Sequence, residues 1–368
     1  MMGLLRFGML AATTVAAFAT AATAAPRWSA RDLSDLQQAV AGAGAEGLAS
    51  YDAGSVQQLV PGDLTDLLAD MTAIKLARDY AEGSAEIRAD KSWHFARPAV
   101  DYRAWLDAAL ARHDLRASFA DLLPKTPAYV ALRRAFVGCR QPVTCNRIAV
   151  NLDRMRALPR ERGSRYLWVN VPAFRLDLIE NGKAISSHRI IVGKPGSQTP
   201  SFQARVTGVT INPWWNVPCS IVEESVGKLV TSNPAEAARR GYVASRDAKG
   251  KLVVRQKPGP NNALGQIKLE MPNPFDVYIH DTPSKNLFAD QRRAFSHGCI
   301  RTEDPHSLAI SVLGPEAEET VNLLLATGVT RTLPLPMPLP VYVVYMTVEP
   351  GPDGQILEYP DIYRRDTR

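Results

Sequence analysis

Apolar residues along this chain change their period once, and the change divides it. From Trp28 to Phe136 they recur at helical spacing: Leu33, Leu36 and Val40; then Leu64, Leu67, Leu68, Met71, Ile74 and Leu76, with Tyr80 beyond; then Trp105, Leu106, Ala109 and Leu110. Such stripes read as the buried faces of helices. Thr65-Asp66 and Asp101 stand ahead of helical runs as cap-region residues, and Pro124 and Pro127 break the pattern. No ligand signature lies in this part. His94 and His113 are isolated and read as surface or packing residues rather than metal ligands.

Beyond Arg156 the period becomes strand-like. Residues 166–171 and 174–179 alternate or run apolar, Asn181-Gly182 makes a hairpin turn into a strand from Ala184 to Val192, and Val206 to Ile211 is another β run. A segment from about Val217 to Asn262 interrupts the β region with its own elements. Ile221 to Val230 and Pro234 to Arg240 look helical, Tyr242 to Ala244 and Leu252 to Gln256 form a hairpin across Lys249-Gly250, and Lys257-Pro258-Gly259-Pro260 closes the excursion. Pro305 to Leu313 and Glu316 to Thr327 read as helices. A proline-rich hinge from Leu333 to Pro340 leads to a last hairpin, Val341 to Val348 and Ile356 to Tyr363, turning at Pro352-Asp353-Gly354. The fold class is therefore α+β: a helical unit over 26–160, a mostly β domain over 161–330 with an insertion at about 217–262, and a C-terminal hairpin over 331–368.

Composition adds little to this. Apolar residues at 46% and charged residues at 22% are ordinary for a globular protein, and a net charge of +6 suits an acidic polymer or a merely solvated surface. There is no phosphate-cradling glycine loop, repeat or basic-aromatic face, so no nucleic-acid partner is expected. Residues 1–25 change the picture more. One positive charge before Phe7, an apolar run to Ala21 and the small residues Ala22-Thr23-Ala24 form a signal peptide, which predicts a soluble periplasmic protein. The competing reading is a retained membrane anchor, for which the Ala- and Thr-rich run is weakly hydrophobic over a span of ~20 residues. In an exported protein Cys139 and Cys145, six positions apart around Pro142, are a disulfide candidate closing a loop worth about 2 to 3 kcal/mol. Free thiols are the alternative; a zinc site lacks further ligands nearby.

The chemistry concentrates late in the chain. His280 closes the run Val277-Tyr278-Ile279-His280, and nineteen residues on, Cys299 lies between Gly298 and Ile300. A thiol attacks as its thiolate, so it needs a depressed pKa or a base beside it, and a neutral imidazole can act as that base. Gly298 lets the backbone turn sharply and expose N–H groups. Although His280, Asp281, His297 and Cys299 are all ligand types, their spacing is unlike a zinc hydrolase motif, and a metal would occupy the thiolate; no metal and no cofactor are expected.

Ser296-His297-Gly298-Cys299-Ile300-Arg301 with His280 upstream resembles the signature of the L,D-transpeptidases, cell-wall enzymes with a YkuD-type catalytic domain. The likeness continues through Val192-Gly193-Lys194-Pro195, Gln198-Thr199-Pro200, the segment from Asn212 to Pro218, Asn262-Ala263-Leu264-Gly265 and His280-Asp281-Thr282-Pro283, the pattern of a larger subtype with a helical scaffold and a lid. It implies a mostly β catalytic domain with the insertion as a mobile lid, although the insertion also reads as a static surface excursion. It also implies Cys299 as nucleophile, His280 as general base, and a nucleophile loop shaped by Ser296 and His297 with oxyanion donors at the Gly298 and Cys299 N–H groups. Arg301 is expected either to bind a substrate carboxylate or to fix the loop, and Trp214, Trp215 and Tyr278 either to wall the cleft or to pack.

The implied reaction is transfer between peptidoglycan stem peptides, a donor tetrapeptide and an acceptor, giving 3-3 cross-links, with other cell-wall enzymes as further partners and carbapenems as inhibitors. The alternatives are an L,D-carboxypeptidase, an enzyme attaching protein to the wall, and a non-catalytic wall-binding protein. Cys219 stands where the family pattern more often has proline; it is expected to be buried and unreactive.

Overall fold

The computed structural model describes residues 27–48, 51, 63–351 and 353–366. The expected signal peptide and Pro352 lie outside these. The helical unit comprises α1 (Ala30–Ala43), α2 (Asp63–Glu82), α3 (Ala85–Ala89), a two-residue strand β1 (Trp93–His94), α4 (Tyr102–Arg112), α5 (Leu115–Leu122), α6 (Pro127–Gly138) and α7 (Pro142–Arg156). Caps explain where several begin. The Asp101 carboxylate accepts the N–H groups of Arg103 and Ala104 at the start of α4, and Thr126 caps α6. Pro127 opens α6 instead of breaking a helix, because a first-turn residue has no intrahelical N–H bond to lose.

The apolar stripe on α2 is not where its largest residues suggest. Leu76 and Tyr80 are buried as expected, but Leu67, Leu68 and Met71 are exposed, and Ala69, Ala73 and Ala77 are fully buried in the core with Trp28, Leu36 and Leu106. Small side chains let neighbouring helices approach closely, and that face won over the bulkier one. Thr65 and Asp66 fall inside α2 and do not cap it. Cys139 and Cys145 are disulfide-bonded between α6 and α7, their Cα atoms 5.6 Å apart.

The second unit starts with β2 (Arg165–Asn170), β3 (Arg175–Glu180), β4 (Lys183–Gly193) and β5 (Ser201–Ile211). Asn181 and Gly182 both have positive φ, the hairpin turn that the Asn-Gly pair predicts. The inserted segment holds β6 (Trp215–Asn216), a helical stretch α8 (219–232) with a π-helical centre at Val222–Val226, α9 (Pro234–Arg239), β7 (Tyr242–Arg246) and β8 (Leu252–Gln256). Then follow β9 (Ile267–Glu270), β10 (Ile279–His280), β11 (Ala294–Ser296), β12 (Ile300–Thr302), α10 (Pro305–Leu313), α11 (Glu318–Thr327), β13 (Arg331–Val344), β14 (Val348–Pro350) and β15 (Ile356–Glu358).

A ten-stranded sheet runs β1-β5-β13-β2-β3-β4-β12-β10-β9, with β11 joined to β4, and β9 pairs back to β5 so that the ladder closes into a barrel. Its interior holds Leu167, Val169, Leu176, Ile190, Val192, Val209, Leu269, Ile279 and Ile300, covered by Leu308 and Val312 of α10 and Val321 of α11. The C-terminal part corrects an expectation. Residues 331–344 are neither a hinge nor half of a terminal hairpin but the long strand β13, antiparallel to β5 and parallel to β2. Proline φ values suit extended backbone, and the register slips between Pro334 and Leu339, where the missing N–H donors do least damage. The hairpin that remains is β14-β15.

The insertion is a small layer with its own core, Trp215, Val217, Val222, Val226, Val254 and Leu264, against which Tyr278 packs. Asn262 pins its base: buried, it donates to the carbonyls of Pro213 and Lys257 at 3.0 and 2.9 Å, and its Oδ1 accepts the Leu264 N–H at 2.7 Å.

Candidate active site

Period-two geometry brings the chemistry together. Ile279 and Ile300 are paired in parallel register and fully buried in the barrel, so the residues either side of each project from the opposite face. His280 is in register with Arg301 on one side and Lys268 on the other. The Ile300 N–H donates to the Tyr278 carbonyl at 2.9 Å, which sets Cys299 beside Tyr278. Cys299, His280, Tyr278 and Arg301 therefore share one face of two adjacent strands.

Burial favours the uncharged form of both members of the pair. His280 is 5% exposed, and burial, with the Arg301 guanidinium next in importance, pushes its pKa down to about 3. Burial also pushes the Cys299 thiol up, partly opposed by its contacts with Tyr278. The thiol's hydrogen bond goes to the Asp276 carbonyl at 3.5 Å, not to the imidazole, and His280 Nδ1 has no partner among the described residues. Neither group is pre-ionised, so the proton has to move as the sulfur attacks.

Beneath the cysteine, the loop is tied by buried hydroxyls. Ser296 Oγ donates to the Cys299 carbonyl at 2.6 Å and accepts the Gly298 N–H at 3.1 Å. That Gly298 N–H is thus engaged inside the loop, contrary to its expected part as an oxyanion donor; the Cys299 N–H is the donor that remains of the two. Gly298 has φ +117°, a conformation that L side chains rarely adopt. Thr199 Oγ1 donates to the Gly298 carbonyl at 2.8 Å. Downstream of His280, Asp281 accepts the N–H groups of Gln266 and Thr282 and pairs with Lys285 at 2.7 Å. Gly265 abuts it so closely that a Cβ would meet Asp281 Oδ2 at 2.2 Å.

Residues 164–322 match the YkuD family, described as the L,D-transpeptidase catalytic domain, and residues 13–136 match the family described as the Scaffold domain. The chain carries an L,D-transpeptidase catalytic domain, preceded by a Scaffold domain. A Haemophilus influenzae protein provisionally named an L,D-transpeptidase is 31% identical over 242 residues, covering 60% of this chain and 48% of its own length. The match thus spans about half of that curated relative. Among solved structures, an L,D-transpeptidase from Mycobacterium smegmatis is 11% identical with a TM-score of 0.26, covering 49% of this chain and 58% of that one. The catalytic domain of an Enterococcus faecium L,D-transpeptidase is 14% identical with a TM-score of 0.25, covering 50% and 100%.

Other expected residues of this L,D-transpeptidase domain divide. Arg301 lies in register beside His280, and among the described residues its buried Nε has no hydrogen-bond partner. Trp215 is 7% exposed and belongs to the insertion's core, while Trp214 is half-exposed beneath the Arg255 guanidinium, 4.6 Å from the ring centroid. His297 turns away from the sulfur. Its Nε2 lies 3.0 Å from Glu224 Oε2 of α8 and 3.2 Å from Lys194 Nζ, a cluster that ties the insertion to the nucleophile loop. Glu224 carried no sequence signal. Cys219 is exposed, not buried, at the start of α8 beside Lys251. Among the described residues no group of three or more His, Cys, Asp or Glu side chains is arranged to hold a metal, and no helix is long and apolar enough to cross a membrane.

Proposed function

We propose that the protein is a peptidoglycan L,D-transpeptidase that makes 3-3 cross-links through a thioester on Cys299. The observation that carries this reading is the placement of Cys299 and His280 on one face of paired strands, above a loop whose peptides are fixed from below. Cys299 attacks the carbonyl at the L centre of diaminopimelate in a donor tetrapeptide: the C–S bond forms as the thiol proton passes to the imidazole, and the carbonyl electrons move to oxygen, facing the Cys299 N–H. Collapse breaks the C–N bond, and the imidazolium returns the proton to the departing D-alanine nitrogen. The side-chain amine of a second stem then attacks the thioester; C–N forms, C–S breaks, and the amine proton passes through the imidazole to the sulfur.

A neutral His280 is in the right charge state to take a proton over the whole physiological range. Arg301, whose buried Nε has no partner among the described residues, supplies positive charge for a stem-peptide carboxylate. The Cys139–Cys145 bond suits an oxidising compartment and supports a periplasmic location after removal of residues 1–25. Hydrolysis of the same thioester gives the second reading, an L,D-carboxypeptidase. The insertion favours transfer, because Glu224 reaches across to His297 and holds the insertion against the nucleophile loop. The test is to incubate protein lacking residues 1–25 with purified disaccharide-tetrapeptides and weigh the products. Cross-linked dimer with release of D-alanine is expected; tripeptide alone points to the carboxypeptidase, and unchanged substrate overturns both.

A further inference from the structure

Tyr363 lies far from the nucleophile in sequence but directly behind its loop. Its hydroxyl donates to the Gly193 carbonyl at 2.6 Å and accepts the Thr199 N–H at 3.2 Å, bridging the two ends of the turn between β4 and β5. Within that turn Thr199 Oγ1 accepts the Gly193 N–H at 3.0 Å while donating to the Gly298 carbonyl at 2.8 Å. Thr199 is fully buried and Tyr363 is 6% exposed. The turn is tight enough that a Cβ on Gly193 would meet the Ser197 carbonyl at 2.1 Å.

One peptide unit carries the Gly298 carbonyl and the Cys299 N–H. That unit is planar and trans, so holding its oxygen fixes the opposite direction in which its N–H points. The Cys299 N–H is the loop donor left for a developing oxyanion, since the Gly298 N–H is spent on Ser296. Tyr363 is itself held firmly. Its N–H donates to the Tyr345 hydroxyl at 2.8 Å, the two rings stack with centroids 5.4 Å apart, and the Arg365 guanidinium sits 4.7 and 4.9 Å from them. Asp366 anchors the same tail to α7 through Arg154 at 2.7 Å and Arg147 at 3.2 Å.

We propose that Tyr363 is a positioning residue for acyl transfer, acting through Thr199 to aim the Cys299 N–H at the oxyanion. The inference rests on the thioester reading above and adds to it a residue of the tail. It separates two reactions of one sulfur: acylation passes through a tetrahedral oxyanion and needs the N–H, whereas alkylation by iodoacetamide develops no oxyanion.

The experiment uses the Cys219→Ser protein as background, so that Cys299 is the only free thiol. Acylation by a carbapenem and alkylation by iodoacetamide are each followed by mass. Tyr363→Phe, which keeps the ring and loses both hydroxyl bonds, is expected to slow acylation roughly tenfold at saturating carbapenem with alkylation unchanged. Thr199→Val should slow it further, and Thr199→Ser should restore it. Equal slowing of both reactions means that the loop has merely loosened and overturns the proposal, as does no change in either. A parent protein that is alkylated but never acylated would overturn the thioester reading, and this inference with it. Melting curves of each variant identify any that fail to fold, and the Thr199→Ser and Thr199→Val pair then decides the matter.

Discussion

The two sides of Cys299 are built from different materials. Below it, Ser296, Thr199 and Tyr363 form a chain of buried neutral hydrogen bonds ending on the nucleophile's own peptide units. Above it, the insertion meets the loop through Lys194, His297 and Glu224, all well exposed. Buried hydrogen bonds cost about 1–3 kcal/mol when one partner is removed, and salt does not screen them. Exposed charge contacts contribute little and fade with ionic strength. The lower side is suited to holding a peptide in one orientation, and the upper side to letting go.

The largest effect expected concerns what both sides serve. Cys299→Ala or His280→Ala should lower cross-link formation by about 10⁴-fold or more, the double variant losing no more than the worse single one, because the two act as a unit. Retained dimer formation in Cys299→Ala would falsify the thioester route. Next comes the lower side: Ser296→Ala strips the Gly298 N–H of its acceptor and the Cys299 carbonyl of its donor, and should cost about 1–3 kcal/mol in a denaturant titration and roughly tenfold in acylation. If stability and acylation are both untouched, the contrast between the two sides has no energetic content.

A third measurement asks whether the resting pair is neutral. Burial raises the thiol's pKa and lowers that of His280 to about 3, so at pH 7 the thiolate fraction is smaller than for an ordinary cysteine. Alkylation of Cys299 should accordingly be slow at neutral pH and rise through pH 9 without the acidic plateau of a thiolate–imidazolium pair. A plateau near pH 5 would show that the pair is ionised at rest. The smallest effect belongs to the upper side: Glu224→Gln should shift the ratio of hydrolysis to transfer by about threefold at most, and the shift should vanish near 1 M salt. A larger, salt-independent shift would make the two sides equals.

Much of this was legible in the sequence, and the reasons are local. The run Val277 to His280 reads as a strand end, Asn181-Gly182 predicts its turn, and Gly298-Cys299 with His280 marks the candidate site. What escaped is long-range or depends on shape. Tyr363 acts on Gly193 from 170 positions away, and no periodicity encodes that. The prolines of β13 hid a strand that only its neighbours β5 and β2 make necessary. On α2, hydrophobic size pointed to Leu67 and Met71, yet close helix packing selected the alanines.

The contact between Tyr363 and Gly193 also sets an order of events. The strands around Cys299 precede residue 363 in the chain, and pairings this distant in sequence are the slow ones to form. On the role proposed for Tyr363, until the tail docks the thiol is open to alkylating agents but lacks the full support of the peptide that steadies an oxyanion. On that role, competence for acyl transfer therefore arrives only once residue 363 has docked behind the nucleophile loop.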